Sequence, residues 1–249
     1  MTEKTFNKWF NVFILAGMAV CVVLATIMKL RGAEEGARTL LYISAGGALA
    51  GVVSTVLSAN GSIWNFLFGL IDVLLYSFIL YTNDQCSHLA LHLLYILPME
   101  FVGFFKWRKL GLNKDNTVKA RRMPAKYWIN VGVIFVAIAV AAFILSSVLA
   151  KAAGADTVLV KAILDALITT ANIVAFLLMA GAYAEQWYLW IMVNVCSIVL
   201  WALTGILTPG ADYAVIPLIK YIFYLLNSFN GIRIWYALSR EKSDTCICE

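Results

Sequence analysis

Residues 185–201 read EQWYLWIMVNVCSIVLW, an apolar run that carries Trp187, Trp190, Asn194 and Trp201. At 3.6 residues per turn, steps of three, seven and fourteen from Trp187 put two indoles, an amide and a third indole on one stripe of a helix. The run is long enough to cross a bilayer, and a bare amide in hydrocarbon costs about 2–7 kcal/mol unless something satisfies it. The stripe therefore faces either a partner helix, with Asn194 bonding a neighbour and the tryptophans filling space, or a ligand.

Working outward, the whole chain has the same character. Of its 249 residues 62% are hydrophobic and 13% charged, against roughly 45–50% and 25% in a soluble domain. This composition predicts an integral membrane protein. Eight apolar segments reach about 20 residues, the length that spans hydrocarbon: 9–29, 38–58, 63–82, 87–107, 127–150, 157–181, 185–207 and 215–238. The first follows Lys4 and Lys8 but outruns a signal-peptide core and lacks a small-residue cleavage site, so we read it as a retained helix. Cys21, Cys86 and Cys196 lie in or beside spans, Cys246 and Cys248 in the tail, with no paired zinc-ligand spacing. The terminal CICE ends in Glu and is not a prenylation signal.

The net charge of +5 reports orientation, not nucleic-acid binding. Residues 106–126 carry Lys106, Arg108, Lys109, Lys114, Lys119, Arg121, Arg122 and Lys126 against one acid, Asp115. Under the positive-inside rule this loop is cytoplasmic, and an even number of spans places both termini inside. Lys4, Lys8, Arg240 and Lys242 then join the inner side, while Lys29, Arg31, Arg38, Lys151 and Lys161 fall outside.

The chain also repeats itself. FVGFFKW at 101–107 and FNGIRIW at 229–235 share Phe, Gly and Trp at an offset of 128. Asn65, Phe68 and Asp72 have the +3, +7 spacing of Trp187, Trp190 and Asn194, at an offset of 122. The expected fold is all-α, with an extra N-terminal helix and loop (1–37), a three-helix unit (38–107), a basic loop and linker helix (108–156), a second three-helix unit (157–238) and a cytoplasmic tail (239–249). One extra crossing lets two odd-numbered units insert in the same orientation, a parallel repeat whose ligand site lies near the midplane between the halves.

Polar residues at that depth are functional candidates. Asp72 is central in the third span; Asp165, Thr169 and Asn172 share a face of the sixth; Tyr221, Tyr224 and Asn227 run along the eighth, with Gly231. The fourth offers His88, His92, Tyr95 and Met99, then Pro98 beside Glu100, where the missing amide frees carbonyls and kinks the helix. Each has a structural counterpart: Asp165 pairing with Lys161, Lys220 and Arg233 snorkelling, Gly103 and Gly231 as close-packing points. Indole faces stack on flat, electron-poor or cationic rings, amides read amides, and Asp with Tyr suits sugar hydroxyls. The set fits a small, flat, hydroxylated molecule, with no cofactor and no metal.

EQWYLWIMVN, PMEFVGFFKW with its basic sequel, and YLLNSFNGIRIW, in that order, resemble the PnuC family of nicotinamide riboside transporters, over residues 38–238. The resemblance implies a three-plus-one-plus-three core related to the SWEET transporters, uptake of nicotinamide riboside by facilitated diffusion across a bacterial cytoplasmic membrane, and assembly as a homotrimer. It leaves open thiamine or riboflavin, which relatives carry. Rival readings are weaker. Asp72 sits in GLID and Asp165 in ILDAL, neither matching an intramembrane aspartyl protease; no Gly-x-Ser element or P-loop is present. A receptor that binds without flux is separated from a transporter only by a flux measurement.

Overall fold

The structure, a computed structural model, describes residues 2–31, 35–82, 89, 91–152, 159–207 and 215–245; Cys86, His88, Cys246 and Cys248 lie outside them. The described chain is helical: α1 (Glu3–Leu30), α2 (Glu35–Ala59), α3 (Asn65–Thr82), α4 (Leu97–Leu110), α5 (Lys126–Ala152), α6 (Leu159–Ala180), α7 (Gln186–Leu207) and α8 (Val215–Thr245), with a π turn (His92–Ile96) leading into α4. Stretches Thr5–Leu30, Arg38–Ala59, Lys126–Val148, Leu159–Ala180 and Gln186–Ile206 are long and apolar enough to cross a membrane, and Asn65–Ile79 is a shorter apolar helix. The chain is a multi-pass, all-α membrane protein. The fourth span departs from one continuous helix. Pro98 lacks an amide, and the Leu97 N–H reaches five residues back to the His92 carbonyl, so the helix widens by one residue before the proline instead of breaking.

The chain divides into two compact units, residues 1–119 and 120–249. In the first, α3 packs on α2 and on α4, and α1 docks on α2 through buried Ile14 and Met18 and an amide bond from Asn11 Nδ2 to Asn60 Oδ1, 3.1 Å. In the second, α7 packs against both α6 and α8, and α5 lies on α6. Outward faces such as Ile129, Val133, Val136 and Ile144 of α5 stay exposed and apolar, as lipid-facing helices require.

Each unit turns one tight corner in the same way. After α2, Gly61 takes a φ of +66°, its N–H donates to the Ser58 carbonyl, and the Ser62 N–H donates to that of Leu57. After α6, Ala182 takes a φ of +56°, its N–H reaches Met179 O, and the Tyr183 N–H reaches Leu178 O. These paired bonds close a helix end with a left-handed residue, satisfying its last carbonyls. The next helices start alike, Asn65 N–H on Ser62 O and Gln186 N–H on Tyr183 O. These bonds fix the correspondence at an offset of 121, which corrects the 122 read from side-chain spacing. Phe66 matches Trp187, Gly69 matches Trp190, and Val73 matches Asn194. The sequence spacing went wrong because it aligned polar side chains, whereas the backbone aligns corners.

The basic stretch between α4 and α5 is a built strap. Its first half lies along the corner of the first unit: Val118 N–H donates to Gly61 O and Ile63 N–H to Asn116 O, with Val118 fully buried. Its second half lies along the corner of the second: Arg121 N–H donates to Ala182 O and Ala184 N–H to Arg121 O. Asp115 shapes the tip by accepting from the Thr117 hydroxyl at 2.7 Å and the Thr117 amide at 3.2 Å.

Candidate functional site

Three helices of the second unit, α6, α7 and α8, bring together most of the residues singled out above. Trp187 opens α7 and is buried. Its ring lies against α8 so closely that a Cβ on Gly231 would stand 2.7 Å from Cδ2, and it meets Trp235 edge-on at 6.4 Å. Asn194, two turns on, is buried and donates from Nδ2 to the Ser228 hydroxyl at 2.9 Å; that hydroxyl donates to Tyr224 O. Both residues thus join α7 to α8. Trp190 differs: it is half-buried, its edge meets Phe176 of α6 at 5.6 Å, and its Nε1–H donates to Gln186 Oε1 at 3.3 Å.

The other candidates fall around this seam. Asn227 is fully buried. Thr169 and Asn172 are half-buried on α6, while Asp165 is exposed. The Asn172 amide donates to Ile168 O of its own helix, one turn before Phe176. Tyr221 and Tyr224 stack edge-on at 6.2 Å, with the Lys220 ammonium 5.3 Å from the Tyr224 ring, so the phenols face a cation at that point.

Asn65, Phe68 and Asp72 belong to the first unit. Asn65 is buried, its Nδ2 donates to Ser62 O at 2.7 Å, and its backbone carbonyl accepts from Ser54 Oγ, so the residue completes the corner. Phe68 is half-buried on α3. The Asp72 carboxylate lies against α2, where a Cβ on Gly51 would meet Oδ2 at 2.7 Å. Glu100, buried on α4, lies against α3 in the same way, 2.5 Å from a Cβ built on Gly69. Phe66 meets Trp107 edge-on at 4.7 Å, and a Cβ on Gly103 would collide with the Phe66 ring. Gly103 and Trp107 thus do in the first unit what Gly231 and Trp235 do in the second.

Sequence reading missed Gln186, Phe176, Ser228, Glu185 and Arg122. Gln186 is fully buried, and its Nε2 has no hydrogen-bond partner among the described residues. The same holds for Trp187 Nε1, Thr170 Oγ1, Ser197 Oγ and Asn230 Nδ2. A buried donor left unmet costs about 1–3 kcal/mol; in the first unit Ser77 Oγ and Glu100 Oε2 are likewise without a partner among the described residues. Glu185 closes the corner beneath: its Oε1 accepts from Arg122 Nε at 2.9 Å and its Oε2 from the Met123 amide at 3.0 Å. The Arg122 guanidinium also lies 3.9 Å from the Tyr236 ring centroid, and the Tyr236 hydroxyl bonds that of Tyr188 at 2.7 Å. Arg121 forks both Nε and Nη2 onto Gly181 O. Gln186 occupies the register of Asn65 once the corners are aligned, and that alignment rests on backbone bonds rather than on a sequence signal.

The chain matches the model of a family described as nicotinamide mononucleotide transporter over residues 41–237. It is 32% identical over 206 residues to the nicotinamide riboside transporter PnuC of Neisseria mucosa, covering 81% of this chain and 74% of that one. The PnuC of Escherichia coli is 27% identical over 229 residues, 85% of this chain and 92% of the relative. A crystal structure of the vitamin B3 transporter PnuC superposes with a TM-score of 0.68 at 30% identity, over 97% of this chain and 94% of that one. The family is one of transporters, not enzymes, and on the extent of these matches, through the segments that hold both corners and the α6–α8 seam, the chain belongs to the PnuC family of membrane transporters.

Proposed function

We propose that this protein carries nicotinamide riboside into a bacterial cell by facilitated diffusion across the cytoplasmic membrane, and that the ligand is read by the α6–α8 seam. The observation that carries the reading is the buried Gln186 Nε2, unmet among the described residues, on the side chain that holds the half-buried indole of Trp190; Trp187 Nε1 and Ser197 Oγ of the same helix are likewise unmet among the described residues. Nicotinamide riboside offers a flat cationic ring for the indole, a carboxamide for the amide, and ribose hydroxyls for the remaining groups. The names of the relatives point to the same ligand.

In the same reading, residues 38–107 and 157–238 are two copies of a three-helix unit joined by 108–156, a view that the shared corner geometry supports. The strap and both termini face the cytoplasm, supported by the excess of Lys and Arg at 106–126, and the assembly is a homotrimer. Labelling of an introduced cysteine in the strap from outside intact cells overturns the orientation, and a monomeric mass in mild detergent overturns the trimer. The test of function is flux: purified protein in liposomes brings radiolabelled nicotinamide riboside to equal concentration on both sides. Binding without flux makes the protein a receptor, and accumulation driven by a proton or sodium gradient overturns facilitated diffusion.

A further inference from the structure

Position 186 holds an amide that its own structure leaves half used. The corner alignment places Gln186 where the first unit has Asn65, because Asn65 N–H on Ser62 O and Gln186 N–H on Tyr183 O are the same bond in the two corners. Asn65 folds back on the turn, its Nδ2 bonding Ser62 O, so its amide is turned onto its own corner. Gln186 is one methylene longer. Its Oε1 accepts instead from Trp190 Nε1, one turn along α7, and its Nε2 is left without a partner among the described residues in a side chain with no exposed surface.

That bond has a directional consequence. Once the indole N–H holds Oε1, the amide plane is fixed and both Nε2 hydrogens point away from the acceptor side. An indole and an NH2 donor then move as one rigid pair, with Phe176 bracing the indole from α6 at 5.6 Å. A planar ring stacked on Trp190 with a substituent directed towards Gln186 would bring an acceptor to that donor. Resting on the substrate reading above, we infer that Gln186 is a specificity-determining residue: its Nε2 donates to the carbonyl of a ring carboxamide, selecting carboxamide-bearing rings from rings without one. A site built around a buried donor rejects a ligand that lacks the acceptor, because the donor is then left unmet.

The test uses purified full-length protein and two probes, nicotinamide riboside and N-ribosylpyridinium, which lacks only the carboxamide. Gln186→Asn puts an amide where Asn65 has one, free to fold back on the Tyr183 carbonyl, and Gln186→Met keeps the length without polar atoms. For both variants the expected result is a loss of about 10- to 100-fold in affinity for nicotinamide riboside. The expected change for N-ribosylpyridinium is under about threefold, so the ratio between probes collapses towards one. A residue that only shaped the helix would weaken both probes together, and equal losses, or no loss in either variant that folds, overturn the assignment of Gln186. Absence of nicotinamide riboside binding in the unaltered protein overturns the substrate reading first and this inference with it.

Discussion

The two units have the same frame and different fillings. Both close a helix with a left-handed residue, Gly61 or Ala182, and both press an aromatic ring, Phe66 or Trp187, onto a glycine and the edge of a buried tryptophan. In the first unit the corner amide donates to its own turn, the side chain matching Glu185 is an exposed Trp64, and carboxylates face glycines across α2–α3 and α3–α4. In the second the amide is extended by one carbon and left with a free donor, and Glu185 is buried under Arg122. The shared corner thus carries different side chains in the two units, and in the proposed reading those of the second meet the ligand. Packing residues are those the two copies share, and candidates for recognition are those in which they differ.

The largest effects should come from the shared residues. Gly103→Leu and Gly231→Leu drive a side chain into Phe66 and Trp187 respectively, and Trp107→Ala and Trp235→Ala empty a fully buried site. The tryptophan changes should cost about 3–5 kcal/mol and lower yield and melting temperature in both units alike. If one unit tolerates them and the other does not, the common frame is wrong. Next comes Glu185→Ala, which removes both the Arg122 partner and the acceptor for the Met123 amide. Arg122 is half exposed, so most of the expected loss, about 1–3 kcal/mol, comes from the amide left unmet. Trp64→Ala, at the matching site, should leave the melting temperature within about 1–2 °C.

The smallest effect belongs to the strap tip. The Thr117 hydroxyl, aided by the Thr117 amide, holds the Asp115 carboxyl below the usual carboxylate range. A depressed folded pKa gives stability that is present above the unfolded value and lost as pH falls through the folded one. Asp115→Asn should therefore change the melting temperature by no more than about 1–2 °C at pH 7 and flatten its acid dependence below the ordinary carboxylate pKa. A large change at neutral pH would mean that the strap carries more of the fold than its hydrogen bonds indicate.

The membrane class and the approximate positions of the helices were legible in the sequence because hydrocarbon thickness sets segment length directly. The close-packing role of the glycines in the two GxxxW segments was legible as well, since Phe, Gly and Trp recur in both. The register of α3 against α7 was not, because a corner is defined by backbone bonds at Gly61 and Ala182 and not by side-chain type. Nor did the stripe from Trp187 to Asn194 declare its two halves. Periodicity placed Trp187, Trp190 and Asn194 on one face, but only packing shows Trp187 on Gly231 and Asn194 on Ser228, with Trp190 held by Gln186. Gln186 was missed because a glutamine at the start of an apolar run reads as a helix end, and its unmet nitrogen is visible only in three dimensions.

The most direct test of the central claim is to measure, on the same purified samples, the affinity for nicotinamide riboside and the melting temperature of Trp190→Ala. Affinity should fall by about 5- to 150-fold, the range for removing an aromatic stacking surface worth about 1–3 kcal/mol. The melting temperature without ligand should fall by far less than in Trp235→Ala. A melting temperature lowered as far as in Trp235→Ala, with unchanged affinity in the protein that survives, would contradict this and make Trp190 a packing residue.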